Sequence, residues 1–194
     1  DEEAEEDLLA LAGVGDANLR SGLWETLQGR SSWLFINLLT AVLASAVIGV
    51  FGATIEQLVA LAILMPIVVS MGGNAGTQTM TVAVRAIALR QMDAAATRQF
   101  VLRELIVATV NGLLFAALAA GLSYFWFGDQ NIAILMAVAM MANLLVAGLS
   151  GTFVPVGLMR VGVDPAVASS VFVTTITDVV GFFVFLGLAA LYLI

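Results

Sequence analysis

The stretch AVASSVFVTTITDVVGFFVFLGLAALYLI, Ala166–Ile194, carries a single charged side chain, Asp178, near its middle. A helix rises about 1.5 Å per residue, so an apolar run of this length reaches across a hydrocarbon core about 30 Å thick. A carboxylate at that depth costs about 2.5–3.5 kcal/mol even on a lenient insertion scale. A proton, a hydrogen-bonded shell or a cation has to compensate it. Asp178 is therefore the first candidate for a functional group.

The rest of the chain has the same character. It is 61% hydrophobic and 11% charged, with a mean hydropathy of +1.07, far from the balance of a soluble domain. Cys and His are absent, which removes disulfides, thiolate chemistry and imidazole bases, and leaves oxygen as the ligand for any metal. Five runs are long enough to span: Trp33 to Gly52, Leu58 to Ala88, Gln99 to Phe125, Ile132 to Leu158, and Ala166 to Leu193. The expected fold is an all-α integral membrane protein with five transmembrane helices per subunit, preceded by a short amphipathic helix.

Charge fixes the expected orientation. All seven basic residues, Arg20, Arg30, Arg85, Arg90, Arg98, Arg103 and Arg160, fall on one side of this arrangement, while the connections around Glu56 and Asp129 carry none. By the positive-inside rule the arginine side is cytoplasmic, which puts the N-terminus inside and the C-terminus outside a multi-pass cell (inner) membrane protein. Topology alone accounts for the arginines, so no nucleic-acid partner is expected. Leu19, Leu23 and Leu27, with Trp24 alongside, predict an amphipathic helix at the cytoplasmic surface. Residues 1–31 are read as an acidic segment plus this helix, and 32–194 as the membrane domain. The chain opens on Asp1, Glu2, Glu3, Glu5, Glu6 and Asp7 without an initiator Met, which points to a longer polypeptide.

Two polar constellations lie within the spans. Helical spacing aligns Ser170, Thr174, Asp178 and Gly181 on the fifth, with Thr175 and Thr177 at the margins. The second contains Pro66 and then Met71-Gly72-Gly73-Asn74-Ala75-Gly76-Thr77-Gln78. Proline removes a helix donor and clustered glycines weaken helix, so this span is expected to break, as at substrate sites in transport proteins. Gly72 with Gly76, Ser45 with Gly49, and Ala117 with Gly121 also have the spacing of close helix contacts. Asn111 and Asn143 read as interhelical hydrogen-bonding amides rather than ligands. Asp164-Pro165 has the form of a helix N-cap followed by N1 proline.

Pro66, Gly72-Gly73-Asn74-Ala75-Gly76-Thr77-Gln78, Arg85-Ala86, Gly162-Val163-Asp164-Pro165-Ala166 and Thr175-Ile176-Thr177-Asp178-Val179-Val180-Gly181 together resemble the membrane domain of the MgtE family of magnesium channels and transporters. The resemblance runs from about Leu8 to Ile194. It implies a homodimer embedded in membrane lipid, with spans two and five of both subunits lining a pore for Mg²⁺. The ion-binding residues would be Asp178, Asn74, Gly73, Thr77, Thr174 and Thr175. It also implies a cytosolic magnesium-sensing region of the same polypeptide, mostly absent here, acting through a plug-like helix corresponding to Leu19 through Arg30. A regulatory magnesium site would involve Asp164 and Asp7. One departure is Ser170-Val171, where relatives often carry Gly-Pro or Asn-Pro, so the inner end of span five is expected to be more regular here.

The leading expectation is a divalent-cation channel; the alternative is a proton- or sodium-coupled transporter of divalent cations. An aspartyl protease would need two carboxylates sharing a proton, and each chain is expected to offer one at depth. No enzyme is expected.

Overall fold

In the computed structural model, residues 22–193 are described; the acidic start and Leu19 and Arg20 lie outside them. Six helices follow in order: α1 Leu23–Val50, α2 Gly52–Gln57, α3 Ala60–Ala88, α4 Ala94–Phe127, α5 Gln130–Arg160 and α6 Pro165–Tyr192. Five of them, all but the six-residue α2, are long and apolar enough to cross a membrane. The expected all-α, five-span fold is therefore present.

Span boundaries match the hydropathy reading within a few residues, except at the first. There Leu23–Val50 is one helix, so the apolar face of residues 23–30 continues into the first span with no break near residue 31. Short polar connections set the remaining ends. Asp93 caps α4 by accepting from the Ala96 amide at 2.7 Å. Asp129 caps α5 by accepting from the Asn131 amide at 2.7 Å. Asp164 caps α6 by accepting from the Ala166 amide at 2.9 Å, with proline at the next position as expected. Gly128 ends α4 at φ +66°, and Gly162 turns the chain between α5 and α6 at φ +76°. A side chain is strained in that left-handed region, which glycine enters freely.

Helix α5 is the centre of the bundle. It packs against α3, α4 and α6, whereas α3 and α4 barely touch each other. Leu61, Leu64, Met136, Met140, Phe185 and Leu186 form the main apolar core from α3, α5 and α6. Helix α1 stands at the edge, packs on α6, and buries only Ala44 among its described residues. Phe51, at its C-terminal end, meets Phe183 edge-on at 5.8 Å between ring centres.

The second span does not break. Helix α3 runs unbroken through Pro66 and all three glycines. Packing explains why: a Cβ at Gly72 would collide with the Asn143 side chain, and one at Gly76 would lie 2.7 Å from Val173 Cγ1. The glycines let neighbouring helices approach closely, and that contact outweighs a helix-propensity penalty of about 1 kcal/mol each. Continuous helix also satisfies backbone groups within the segment itself.

Candidate functional site

The two polar constellations converge. Gly76 of α3 lies against Val173 and Thr177 of α6, so the segments carrying Asn74 and Thr77, and Thr174 and Asp178, are side by side at one depth. On α3 the side chains at Ser70, Asn74, Thr77, Gln78 and Thr81 are all exposed. Their spacing of i, i+4, i+7, i+8 and i+11 puts them on one helical face. The opposite face, with Leu61, Leu64, Val68, Gly72, Gly76 and Met80, is buried. A transmembrane helix has thus turned its polar side outward from the single copy.

On α6, Thr174 is exposed and Asp178 is half-buried, with Ser170 and Thr175 also half-buried. The expected stripe is therefore open at Thr174 but closes at Gly181, which packs onto Asn143. Thr177, expected at the margin, is fully buried. The neighbouring hydroxyl protons are already committed within the helix. Thr175 Oγ1 donates to the Val171 carbonyl at 2.6 Å and Thr177 Oγ1 donates to the Thr174 carbonyl at 2.9 Å. Neither is spent on the Asp178 carboxylate. Thr77 likewise donates to the Gly73 carbonyl at 2.9 Å. Its oxygen lone pairs, like the amide oxygen of the exposed Asn74, remain available as acceptors. Gly73 sits in regular helix, so the unwound backbone expected to present its carbonyl is not seen.

Asn143 behaves as the hydrogen-bonding amide expected from sequence. It is completely buried in α5, and its Nδ2 donates to the Val68 carbonyl of α3 at 2.8 Å. Gly72 and Gly181 leave the space it fills. Replacing Asn143 with alanine removes this bond and opens a void, so we expect a loss of about 1–3 kcal/mol in stability. A lowered thermal unfolding midpoint in detergent would show it; an unchanged midpoint would contradict this assignment.

Asn111 differs: it is exposed and lines a small pocket with Gln78, Thr79 and Glu104. Thr79 Oγ1 donates to Glu104 Oε2 at 2.8 Å. Glu104 is thus a second acid, beside Asp178, within a helix long and apolar enough to span. Its signal was present in the sequence, inside the Gln99–Phe125 run, but stood beside Arg103 and read as part of a basic boundary. Asp164 is exposed at the α6 N-terminus, while Asp7 lies outside the described residues. Among the described residues no three acidic side chains converge on a possible metal position.

Comparison with known proteins identifies the family. The family profile described as "Divalent cation transporter" matches residues 65–188, which include both constellations. A magnesium transporter MgtE of Thermus thermophilus is 34% identical over 98% of the chain. The Bacillus subtilis magnesium transporter MgtE is 29% identical over 98% of it, and the one of Enterococcus faecalis 26% over 100%. The chain spans 43% of the length of each of these relatives. With the matched profile covering well over half of its residues, the chain belongs to the MgtE family of divalent cation transporters.

Proposed function

We propose that the chain forms a magnesium channel in which two copies place α3 and α6 around a shared aqueous path, with Asp178 as the ion-binding carboxylate. The observation that carries this reading is the exposed polar face of α3 next to the α6 segment that holds Asp178. Asn74, Thr77 and Gln78 cannot face acyl chains without large desolvation cost. Water, enclosed by a second copy, resolves that cost.

Magnesium suits such a path. It gives up its waters reluctantly and is commonly held through them, by one or two carboxylates and neutral oxygens. One Asp178 per copy, with the acceptor oxygens of Asn74, Thr77 and Thr174, offers attraction without a charge-dense cage, and conduction requires that the ion also leave. Exposed Glu56 and the helix-capping Asp129, on the face without arginines, would raise the local cation concentration at the outer mouth. On the same reading the arginine side is cytoplasmic, and a cytosolic region of the full polypeptide governs opening through the start of α1.

Magnesium flux into proteoliposomes tests the mechanism. A channel gives flux that follows the imposed membrane potential and persists when proton and sodium gradients are collapsed. Flux that disappears on collapsing either gradient at constant potential would show coupled transport instead.

A further inference from the structure

The Glu104 pocket lies on the other flank of the polar helix from the segment around Asp178. Its walls come from α3 (Ala75, Gln78, Thr79), α4 (Glu104, Val107, Ala108, Asn111) and α5 (Leu144, Gly148), and no residue of α6 lines it. Thr79 follows Gly76 by less than one turn, so the pocket sits within about 5 Å, along the membrane normal, of the level where α3 meets Thr177. Asn111 is at the middle of the 34-residue α4. The pocket thus lies within the length of the spanning helices, with Arg103 beside its acid at the arginine-bearing end.

Its polar groups are poorly served by one another. The Glu104 carboxylate accepts one hydrogen bond, from Thr79. No basic residue is among the lining side chains. The amides of Gln78 and Asn111 are exposed on the surface of the single copy. A carboxylate, a hydroxyl oxygen with free lone pairs and two amide oxygens, drawn from facing helices, form a hard-oxygen donor set.

We propose that this pocket is a binding site for a small monovalent cation, sodium foremost, held by Glu104, Thr79, Gln78 and Asn111 and separate from the path past Asp178. Charge selects the ion. The cavity volume is about 40 Å³, above the roughly 10–15 Å³ needed to admit a single water. Holding a dehydrated magnesium ion would demand a charge-dense octahedral site, and Glu104 is the one acid here. A single negative charge matched to a single positive one leaves the pocket neutral within the membrane. The site also touches the proposed path: Gln78 belongs to the exposed face that carries Asn74 and Thr77, so an occupant holds α4 against the helix that lines it.

The test is thermal unfolding of the purified protein in detergent, with magnesium chelated. Sodium chloride is compared with N-methylglucamine chloride at equal ionic strength, for the parent and for Glu104→Gln, Asn111→Ala and Asp178→Asn. The expected result is a saturable, sodium-specific rise of roughly 3–6 °C at ten times the dissociation constant. Glu104→Gln and Asn111→Ala lose the rise and Asp178→Asn keeps it, which separates this site from the proposed channel. Glu104→Gln retains an acceptor for Thr79, so loss of the rise would report lost charge, not lost packing; if that variant does not fold, Asn111→Ala carries the comparison. Equal rises in both salts would overturn the proposal, as would a rise that survives Asn111→Ala together with Glu104→Gln. An equivalent Glu104-dependent rise with magnesium alone would overturn its selectivity for a monovalent ion.

Discussion

Replacing Asp178 with asparagine should lower magnesium flux in proteoliposomes by about 10- to 1,000-fold, the range by which a focused charge raises local cation concentration. The substitution preserves size and removes only the charge, so the protein should still assemble. Because the hydroxyls of Thr175 and Thr177 donate to their own helix carbonyls, removing the carboxylate should orphan neither of them. Stability should therefore hold while conduction falls. Asp178→Glu should retain part of the flux, its charge displaced by one methylene. Parent-like conduction in the asparagine variant would dismiss this carboxylate from the ion path.

The largest structural effect is expected at Gly151, where α5 presses on α3. A Cβ there would lie 2.7 Å from the Gly76 carbonyl oxygen, 2.8 Å from Thr79 Cβ and 3.1 Å from the Met80 amide nitrogen. Two of those three atoms are backbone and cannot rotate aside. Gly151→Ala must therefore push α5 away from the helix bearing the polar face, at about 1–3 kcal/mol or more. Gly157, six residues further along the same helix, has nothing within 4 Å of its Cβ position. Gly157→Ala should be neutral, or stabilising by up to about 1 kcal/mol through helix propensity. Unfolding midpoints of the pair provide an internal control: equal effects would refute the close α3–α5 approach.

Much of this organisation is legible without coordinates. Hydropathy locates all five spans because each must be apolar over its length. Asp164 is readable as a cap because Asp-Pro before an apolar run is a local pattern. The start of α1 is less readable, since an amphipathic surface helix and the first turns of a spanning helix share the leucine spacing at Leu23 and Leu27. The continuity of α3 was hidden for a different reason. Glycine weakens helix locally, yet Gly72 and Gly76 serve contacts with Asn143 and Val173 from helices distant in sequence. Local propensity cannot report that. Glu104 was obscured by Arg103 at its side, because sequence order does not reveal that Glu104 meets Thr79 on another helix while Arg103 is exposed. The polar side of α3 is visible in the spacing from Ser70 to Thr81; that it faces outward from a single copy required the packing of Gly76 and Met80.

The most direct measurement is a high-resolution structure of the protein in a lipid bilayer at saturating magnesium. Ordered density for a hydrated ion between Asp178 and the same residue of a second copy, within a water-filled passage bordered by Asn74 and Thr77, is the predicted result. Asp178 facing acyl chains, or enclosed dry within one copy and apart from any ion, would contradict it.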